Sequence, residues 1–127
     1  MPKRLLHILL FTVLFVNGCT EGENEIITHI HDATIKVSVY RIQVNPSGVT
    51  VIIPIINAAV DLFETEFDRT QNQNRILAGV TDSSGVFQFY NLTKEYYYIR
   101  ASHPTYGERL EETATPDGTV SFVNCEF

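Results

Sequence analysis

The sequence predicts a single all-β domain, a Greek-key sandwich of about seven strands that begins near Ala33. Apolar and polar residues alternate every two positions in most segments after residue 32, as strands with one buried face require. Clusters of Pro, Gly, Asn, Asp and Ser separate these segments at short intervals and predict turns. The 127 residues are 44% hydrophobic and 19% charged, which is typical of one globular domain and excludes a disordered chain.

The predicted strands follow from local patterns. The first contains the alternating residues Ile35, Val37 and Val39, and the later strands are Val49–Ile56, Val60–Phe63, Ile76–Thr81, Val86–Tyr90, Tyr96–Ser102, Glu108–Thr113 and Thr119–Asn124. Pro54 cannot donate a hydrogen bond to a sheet and therefore predicts an edge, a bulge or a strand end. The predicted connections are the turn Asn45–Gly48, the polar loop Glu64–Asn74, the turn Asp82–Gly85, the loop His103–Gly107 and the turn Pro116–Gly118.

Residues 1–18 have the order of a secretory signal peptide, which is basic, then apolar, then small. Lys3 and Arg4 precede the apolar run Leu5–Val16. As a helix, this run would reach only about 18 Å, which is short of the roughly 30 Å hydrocarbon core of a bilayer. We therefore interpret it as a signal peptide and not as a transmembrane helix.

The tetrad Val16–Cys19 resembles the bacterial lipobox, whose cysteine is lipidated and becomes the mature N-terminus. This resemblance implies that Cys19 carries the lipid, because a thiolate can be alkylated by a diacylglyceryl group. Thr20, in place of Asp, resembles outer-membrane sorting in Gram-negative bacteria. We therefore expect a lipid-anchored protein of the bacterial cell envelope, in the outer membrane, that faces the periplasm or the cell surface. The alternative is an ordinary secretory signal that contains a cysteine.

Residues 19–32 are interpreted as the lipidated cysteine and a flexible tether, and residues 33–127 as the domain. If Cys19 is lipidated, Cys125 is the only free thiol, and no intramolecular disulfide can form. His29 and His31 would project to one side of an extended segment, as two ligands of one metal would. No third ligand is indicated, so we interpret them as solvated residues of the tether and predict no metal and no cofactor.

The charge balance is acidic, with a formal net charge of −6, and removal of Lys3 and Arg4 would leave 7 basic against 15 acidic residues. A protein of this charge repels phosphate backbones, so nucleic acid is excluded as a partner. The lipid would then be the link to the membrane.

A spaced pattern of turn, aromatic and apolar residues runs through the middle of the chain. It reads T-D-x-x-G-x-F-x-F-x-N-L and then Y-x-I-x-A, and its residues are Thr81, Asp82, Gly85, Phe87, Phe89, Asn91, Leu92, Tyr97, Ile99 and Ala101. On these residues the stretch Ala58–Ser102 resembles the carboxypeptidase regulatory-like domain, a transthyretin-like (prealbumin-like) β-sandwich. The resemblance implies a hairpin around Asp82–Gly85. The family that the stretch resembles includes many noncatalytic accessory modules. Asp82 is interpreted as a turn residue, since one carboxylate does not make a calcium site.

Alternation also identifies candidate binding residues. If Phe87, Phe89 and Tyr97 face the core, the opposite face of the same antiparallel strand pair carries Gln88, Tyr90, Tyr96, Tyr98 and Arg100. Such an outward aromatic patch could bind a protein or glycan partner. The alternatives are that the tyrosines stabilise the sheet by cross-strand packing or lie beneath a loop.

The sequence gives no support for catalysis. Transthyretin-like sandwiches include hydroxyisourate hydrolases, which end in Y-R-G-S, whereas this chain ends in Asn124-Cys125-Glu126-Phe127. They also include iron dioxygenases, but no tyrosine and histidine ligand pattern joins His103 to the six tyrosines, and no nucleophile motif is present. We predict a monomeric, noncatalytic binding or structural accessory module. A small envelope hydrolase and an assembly subunit whose sheet edges pair with another chain are the alternatives.

Overall fold

The computed structural model describes residues 29–127, and these contain two β-sheets that pack face to face. The predicted all-β sandwich is confirmed. In chain order its elements are β1 Ala33–Val44, β2 Thr50–Pro54, β3 Ala59–Phe63, α1 Glu66–Gln71, β4 Leu77–Val80, β5 Val86–Leu92, β6 Tyr96–His103, β7 Gly107–Ala114 and β8 Val120–Glu126. The predicted signal peptide, Cys19 and most of the predicted tether lie outside the described residues.

The first sheet is built around β1. Residues 35–38 of β1 pair with β5 and also with β8, so these two strands lie on opposite edges of β1. The edge of β1 that pairs with β5 also pairs with β2, through residues 40–44 of β1. The pairing of β1 with β8 is parallel and joins the first and last strands of the domain. Nothing in the local sequence pattern predicts this pairing.

The second sheet is antiparallel, with the strand order β4-β3-β6-β7. The chain leaves it after β4, crosses to the first sheet as β5, and returns as β6 beside β3. The predicted hairpin of Ile76–Thr81 with Val86–Tyr90 is therefore wrong, because β4 and β5 belong to different sheets. The ring of Phe87 provides a physical reason, since a Cβ atom built on Gly79 of β4 would lie 2.1 Å from this ring. The aromatic ring fills the space over β4 and holds the two strands apart.

The turn Asp82–Gly85 forms as predicted, although it connects two sheets. The Asp82 carboxylate accepts hydrogen bonds from the backbone N–H groups of Ser84 and Val86, at 2.8 and 3.1 Å. Gly85 has a φ of 70° and its carbonyl accepts a bond from Val39 N–H at 2.7 Å, so the turn docks on β1. The Asp82 carboxylate therefore holds the turn, in agreement with its structural interpretation.

The core lies between the sheets and follows the predicted alternation. β1 contributes Ile35, Val37 and Val39, and β6 contributes Tyr97, Ile99 and Ala101, all at most 2% exposed. Phe89 and Leu92 of β5, Val60 and Leu62 of β3 and Val123 and Cys125 of β8 complete the same cluster. Phe87 is half-buried at its rim. Burial of each large side chain stabilises the fold by about 1.5–3 kcal/mol.

The predicted polar loop Glu64–Asn74 contains a helix, which corrects that prediction. The Thr65 hydroxyl accepts a hydrogen bond from Asp68 N–H at 3.1 Å and begins α1, and Asn72 ends it with a left-handed φ of 51°. The helix is six residues long and shows no apolar period, so its pattern resembles a loop. It packs on β3 and β6, and Phe63 of β3 is fully buried outside the core cluster.

The residues just before β1 are attached to the domain. His31 Nε2 lies 2.8 Å from the carbonyl oxygen of Thr115, and Asp32 N–H donates to the Asp117 carboxylate at 2.8 Å. His31 is thus half-buried, unlike the solvated tether residue that the sequence suggests. Within residues 29–127, no group of three or more His, Cys, Asp or Glu side chains is arranged to hold a metal ion, and no helix is long and apolar enough to cross a bilayer.

Candidate binding site

Three of the four predicted binding residues lie together on the outer face of the second sheet. Tyr96, Tyr98 and Arg100 alternate along β6 with the buried Tyr97 and Ile99. Tyr96 is 44% exposed, whereas Tyr98 and Arg100 are half-buried. The period of two in β6 thus orients these side chains as predicted.

Tyr90 lies elsewhere, which corrects the prediction of one patch. It belongs to β5 in the first sheet and is 59% exposed there. The three residues between β5 and β6 cross from one sheet to the other, and the Tyr97 hydroxyl accepts their backbone bonds, from Thr93 N–H at 3.2 Å and Lys94 N–H at 3.1 Å. Alternation correctly orients the side chains within each strand but does not show that the strands belong to different sheets.

The two tyrosine rings are held by each other and by the helix. Tyr96 and Tyr98 meet edge to face, with ring centroids 5.4 Å apart at 61°. The guanidinium carbon of Arg69, on α1, lies 5.2 Å from the centre of the Tyr98 ring. Arg69 Nη1 also donates to the carbonyl oxygen of Glu111 at 2.6 Å, which fixes the helix against β7. Tyr98 is thus packed under the helix, and Tyr96 presents the more accessible ring.

The hydroxyl of Tyr96 is positioned by the neighbouring strand. Glu112 lies opposite Tyr98 in the β6–β7 register and hydrogen-bonds the Tyr96 hydroxyl. Desolvation and the Glu112 carboxylate raise the pKa of Tyr96 above its ordinary value of 10.0. The phenol therefore stays protonated at physiological pH and remains a hydrogen-bond donor.

Charged side chains of both signs also lie on the outer face of the second sheet. Arg100 Nη2 lies 2.5 Å from the Glu108 carboxylate, and Arg75 Nη1 lies 3.2 Å from the buried Asp61. The Nε atoms of Arg69 and Arg100 are buried and have no hydrogen-bond partner within residues 29–127. We call the surface formed by Arg69, Tyr96, Tyr98, Arg100 and Glu112 the tyrosine patch. It presents an aromatic ring, guanidinium donors and a carboxylate acceptor on the same side of the second sheet.

Two members of the tyrosine patch were missed by sequence reasoning. Arg69 lies in the segment predicted as a loop, and the signal that could have found its helix is the T-x-x-D spacing of Thr65 and Asp68, a capping pattern. Glu112 was assigned to a strand, but its position beside Tyr98 depends on the β6–β7 register, which the sequence pattern leaves open.

His103 lies at the other end of β6. Its Nδ1 accepts a hydrogen bond from Thr105 N–H at 3.1 Å, and its ring stacks on Tyr106 with centroids 4.9 Å apart. With Asn57, Ser102 and Pro104 it lines an open depression of about 430 Å³. These contacts hold the β6–β7 turn.

Cys125 is fully buried in the core, and desolvation raises the pKa of its thiol to about 12. Because the thiolate is the reactive form, a thiol with this pKa is a poor nucleophile at neutral pH.

No protein-family model matches the sequence, and no curated protein matches it either. Solved structures are similar in fold. The TIE protein of Bacillus anthracis has a TM-score of 0.52 and 9% identity, and the minor pilin GBS52 of Streptococcus agalactiae has a TM-score of 0.50 and 14% identity. Each similarity covers 76% of this chain, which spans only 16% and 44% of those two proteins.

A candidate carbohydrate-binding protein of Pseudomonas aeruginosa covers 84% of this chain and 96% of its own, with 14% identity. Its TM-score is 0.49. At these identities the similarities show a β-sandwich fold that occurs in bacterial proteins. The narrower resemblance to the carboxypeptidase regulatory-like domain stays a prediction.

Proposed function

We propose that this protein is a lipid-anchored, noncatalytic β-sandwich of the bacterial cell envelope that binds a protein or glycan partner through the tyrosine patch. The observation that carries the proposal is the setting of Tyr96. Its ring is 44% exposed, it packs edge to face on Tyr98, and its hydroxyl is bonded to Glu112. A ring fixed at two points loses little conformational entropy when a partner stacks on it.

The neighbouring groups suit a partner that carries hydroxyl or amide groups. The ring supplies an apolar face for stacking, while the Glu112 carboxylate accepts and the Arg100 guanidinium donates hydrogen bonds. Sugars and polar protein side chains both offer this combination of a flat apolar face and hydrogen-bonding groups. The two cases share one contact surface, and the experiment below separates them.

The anchor in this proposal comes from the lipobox-like tetrad Val16–Cys19. We propose residues 1–18 as the signal peptide, residues 19–32 as the lipidated cysteine and tether, and residues 33–127 as the binding domain. His31 and Asp32 are bonded to the domain, so residues 19–30 would form the flexible part, which spans about 20 Å by random-coil scaling, enough to hold the domain above the headgroups. A protein held in this way meets partners of the envelope at high local concentration.

The hydrolase alternative gains no support from the groups that could serve it. The Cys125 thiol is buried and has a raised pKa, and His103 is engaged by the Thr105 backbone and the Tyr106 ring. The alternative of an assembly subunit is favoured by a different surface, which is described in the next subsection.

The experiment compares two single variants of similar exposure. Tyr96→Ala removes the proposed contact ring, and Tyr90→Ala removes a 59% exposed tyrosine on the other sheet. Both proteins are probed on an array of defined glycans, and a photoreactive amino acid at position 96 or 90 is used for crosslinking in intact cells. We expect either a glycan signal that falls at least tenfold in Tyr96→Ala and is unchanged in Tyr90→Ala, or a discrete protein crosslink from position 96 that is at least tenfold weaker from position 90.

Equal effects of the two variants, or no signal in either assay, would contradict the proposal. A large loss of thermal stability in Tyr96→Ala would also contradict it, because the tyrosine would then serve packing.

A further inference from the structure

The β1–β2 hairpin extends beyond the sandwich as a two-stranded ribbon, formed by residues 41–44 and 50–54. β8 pairs with β1 only as far as Tyr40, so in the described part of the chain no strand covers the outer edge of residues 41–44. On the face that continues the core, exposure rises from 3% at Ile55 to 41% at Val51 and 57% at Val49. The ribbon therefore extends beyond the part of the first sheet that the second sheet covers.

The ribbon is largely apolar, and its one charged residue, Arg41, lies at its base with the guanidinium carbon 5.7 Å from the centre of the Tyr106 ring. Ile42, Val44 and Ile52 share the face opposite Val51, and they are 44%, 63% and 66% exposed. Residues 42–60 contain no Asp, Glu, Lys or Arg, although 19% of the whole chain is charged. A contiguous exposed patch of this kind marks an interaction surface, whereas single exposed apolar residues are ordinary.

The edges of the ribbon also carry backbone N–H and C=O groups that no strand of the described residues pairs with. Ile55 N–H bonds to the Val39 carbonyl and Asn45 N–H bonds to the Val49 carbonyl, so the odd-numbered residues bond within the ribbon. In an antiparallel pair the alternate residues point away, which places the N–H and C=O groups of Thr50 and Ile52 on the free edge of β2. Insertion into hydrocarbon would leave these groups without partners, so a bilayer is disfavoured as the occupant. An added β-strand would satisfy them.

We propose that the added strand is β2 of a second copy of this chain, antiparallel to the first about a two-fold axis at Ile52. In this arrangement each Ile52 N–H donates to the Ile52 carbonyl of the other copy, and each Thr50 N–H donates to the Pro54 carbonyl. Pro54 has no N–H and limits the pairing to these residues. The proposal uses a surface separate from the tyrosine patch and does not depend on the function proposed above.

The charge distribution favours a second copy over an unrelated acidic or basic partner. The chain has a formal charge of −6, so two copies repel each other wherever their charged surfaces meet. Residues 50–54 of the ribbon carry no charge and form an edge that two copies can share without that repulsion, and their Val and Ile side chains are complementary to themselves. Edge strands are commonly protected by inward or flanking charges, and this one has only Pro54 at its end.

The test introduces one cysteine into the full-length chain, purified in mild detergent. Directly opposed residues in such a pair have Cα atoms about 5.5 Å apart, within the range that a disulfide spans. Ile52→Cys should form covalent dimer under mild oxidation at least ten times faster than Phe67→Cys, which places a cysteine at nearly the same exposure, 65%, on α1. The unaltered chain serves as the background, and its Cys125 is buried.

A second measurement removes the interface. We expect the unaltered chain to sediment as a dimer at tens of micromolar and Ile52→Lys to sediment as a monomer with an unchanged far-ultraviolet circular dichroism spectrum. Equal crosslinking of the two cysteine variants, a monomeric unaltered chain, or a dimer that persists in Ile52→Lys would each overturn the proposal. A fluorophore at position 52 that reports a lipid environment in phosphatidylcholine vesicles would overturn it in favour of a bilayer.

Discussion

At the scale of single residues, Phe89 tests which face of β5 is buried. It is 3% exposed, lies opposite Ile35 in the β1–β5 register and meets Phe87 edge to face with centroids 4.9 Å apart. Truncation removes this packing and leaves a cavity, so we expect Phe89→Ala to lower the free energy of unfolding by about 3–5 kcal/mol. Denaturant unfolding followed by circular dichroism measures the change.

The matched control for Phe89 is Phe67→Ala, because Phe67 is 65% exposed on α1. Its free energy of unfolding should change by less than about 0.5 kcal/mol, as for an exposed site. Equal losses in the two variants would mean that the core does not depend on Phe89.

Cys125 predicts a dependence of stability on pH. Its pKa is raised from 9.0 to about 12 in the fold, chiefly by desolvation, so the unfolded chain loses this proton at a lower pH than the folded one. The contribution of Cys125 to stability is therefore complete below pH 9 and declines between pH 9 and 12, by at most about 1.4 kcal/mol per pH unit. Thermal unfolding at pH 8 and pH 10.5 should show a smaller decline for Cys125→Ala than for the unaltered chain. Equal declines would mean that the thiol does not titrate differently on unfolding.

The orientation of individual side chains could be predicted from sequence, and their neighbours could not. Alternation orients Tyr97 inward and Tyr96 outward because the β period is local to the strand. Proximity in sequence predicts a pairing of β5 with β6 and so places Tyr90 beside Tyr96, but the two strands belong to different sheets. Side-chain direction is a local property, whereas patch membership depends on pairing between distant residues.

At the scale of elements, α1 depends on its cap more than on its sequence pattern. The Thr65 hydroxyl accepts the Asp68 N–H bond, and the helix has only six residues. Short helices are marginal without such caps. Thr65→Ala should lower the free energy of unfolding by about 1 kcal/mol. Thr65→Ser keeps the hydroxyl and should preserve the stability, as measured by the same denaturant titrations.

The cap prediction has a second readout in the tyrosine patch. Because Arg69 contacts the Tyr98 ring from α1, fraying of the helix should expose Tyr98 and change the near-ultraviolet circular dichroism signal. A Thr65→Ala protein with unaltered stability and spectrum would show that packing of the helix on β3 and β6 holds it without the cap.

Among the strands, the sequence predicts positions well and partners poorly. Turn chemistry such as the Asp82 carboxylate and Gly85 is local, so the turn forms where it was expected. Whether that turn closes a hairpin or a crossover depends on the contact of Phe87 with Gly79, two residues whose proximity no short pattern encodes. The parallel pairing of β1 with β8 has the same origin, since it joins residues more than eighty positions apart.

At the scale of the whole domain, the two sheets present surfaces of different chemistry. The outer face of the second sheet carries ion pairs and the tyrosine patch, while the first sheet extends into a largely apolar ribbon. The ribbon could have been suspected from the sequence, because residues 42–60 contain no charged side chain. The exposure of the ribbon could not have been predicted from the sequence, since a run of Val and Ile is equally typical of a buried strand.

The last prediction concerns attachment of the whole chain to a membrane through Cys19. The basic residues Lys3 and Arg4, the short apolar run and the Gly18-Cys19 junction occur in the order of a lipoprotein signal. Several acyl chains, at about 0.8 kcal/mol per buried methylene, would hold the protein stably on a bilayer, and loss of the thiol would remove them.

We therefore expect Cys19→Ser to move the protein from the membrane fraction to the soluble fraction after cell lysis. Mass spectrometry of the N-terminal peptide should show acyl chains on the unaltered protein and none on the variant. Cys125→Ala is the matched control, since it removes the other cysteine, which is buried in the core, and should leave the protein in the membrane fraction. Membrane retention of Cys19→Ser, with no lipid on the N-terminus of the unaltered protein, would contradict the anchor.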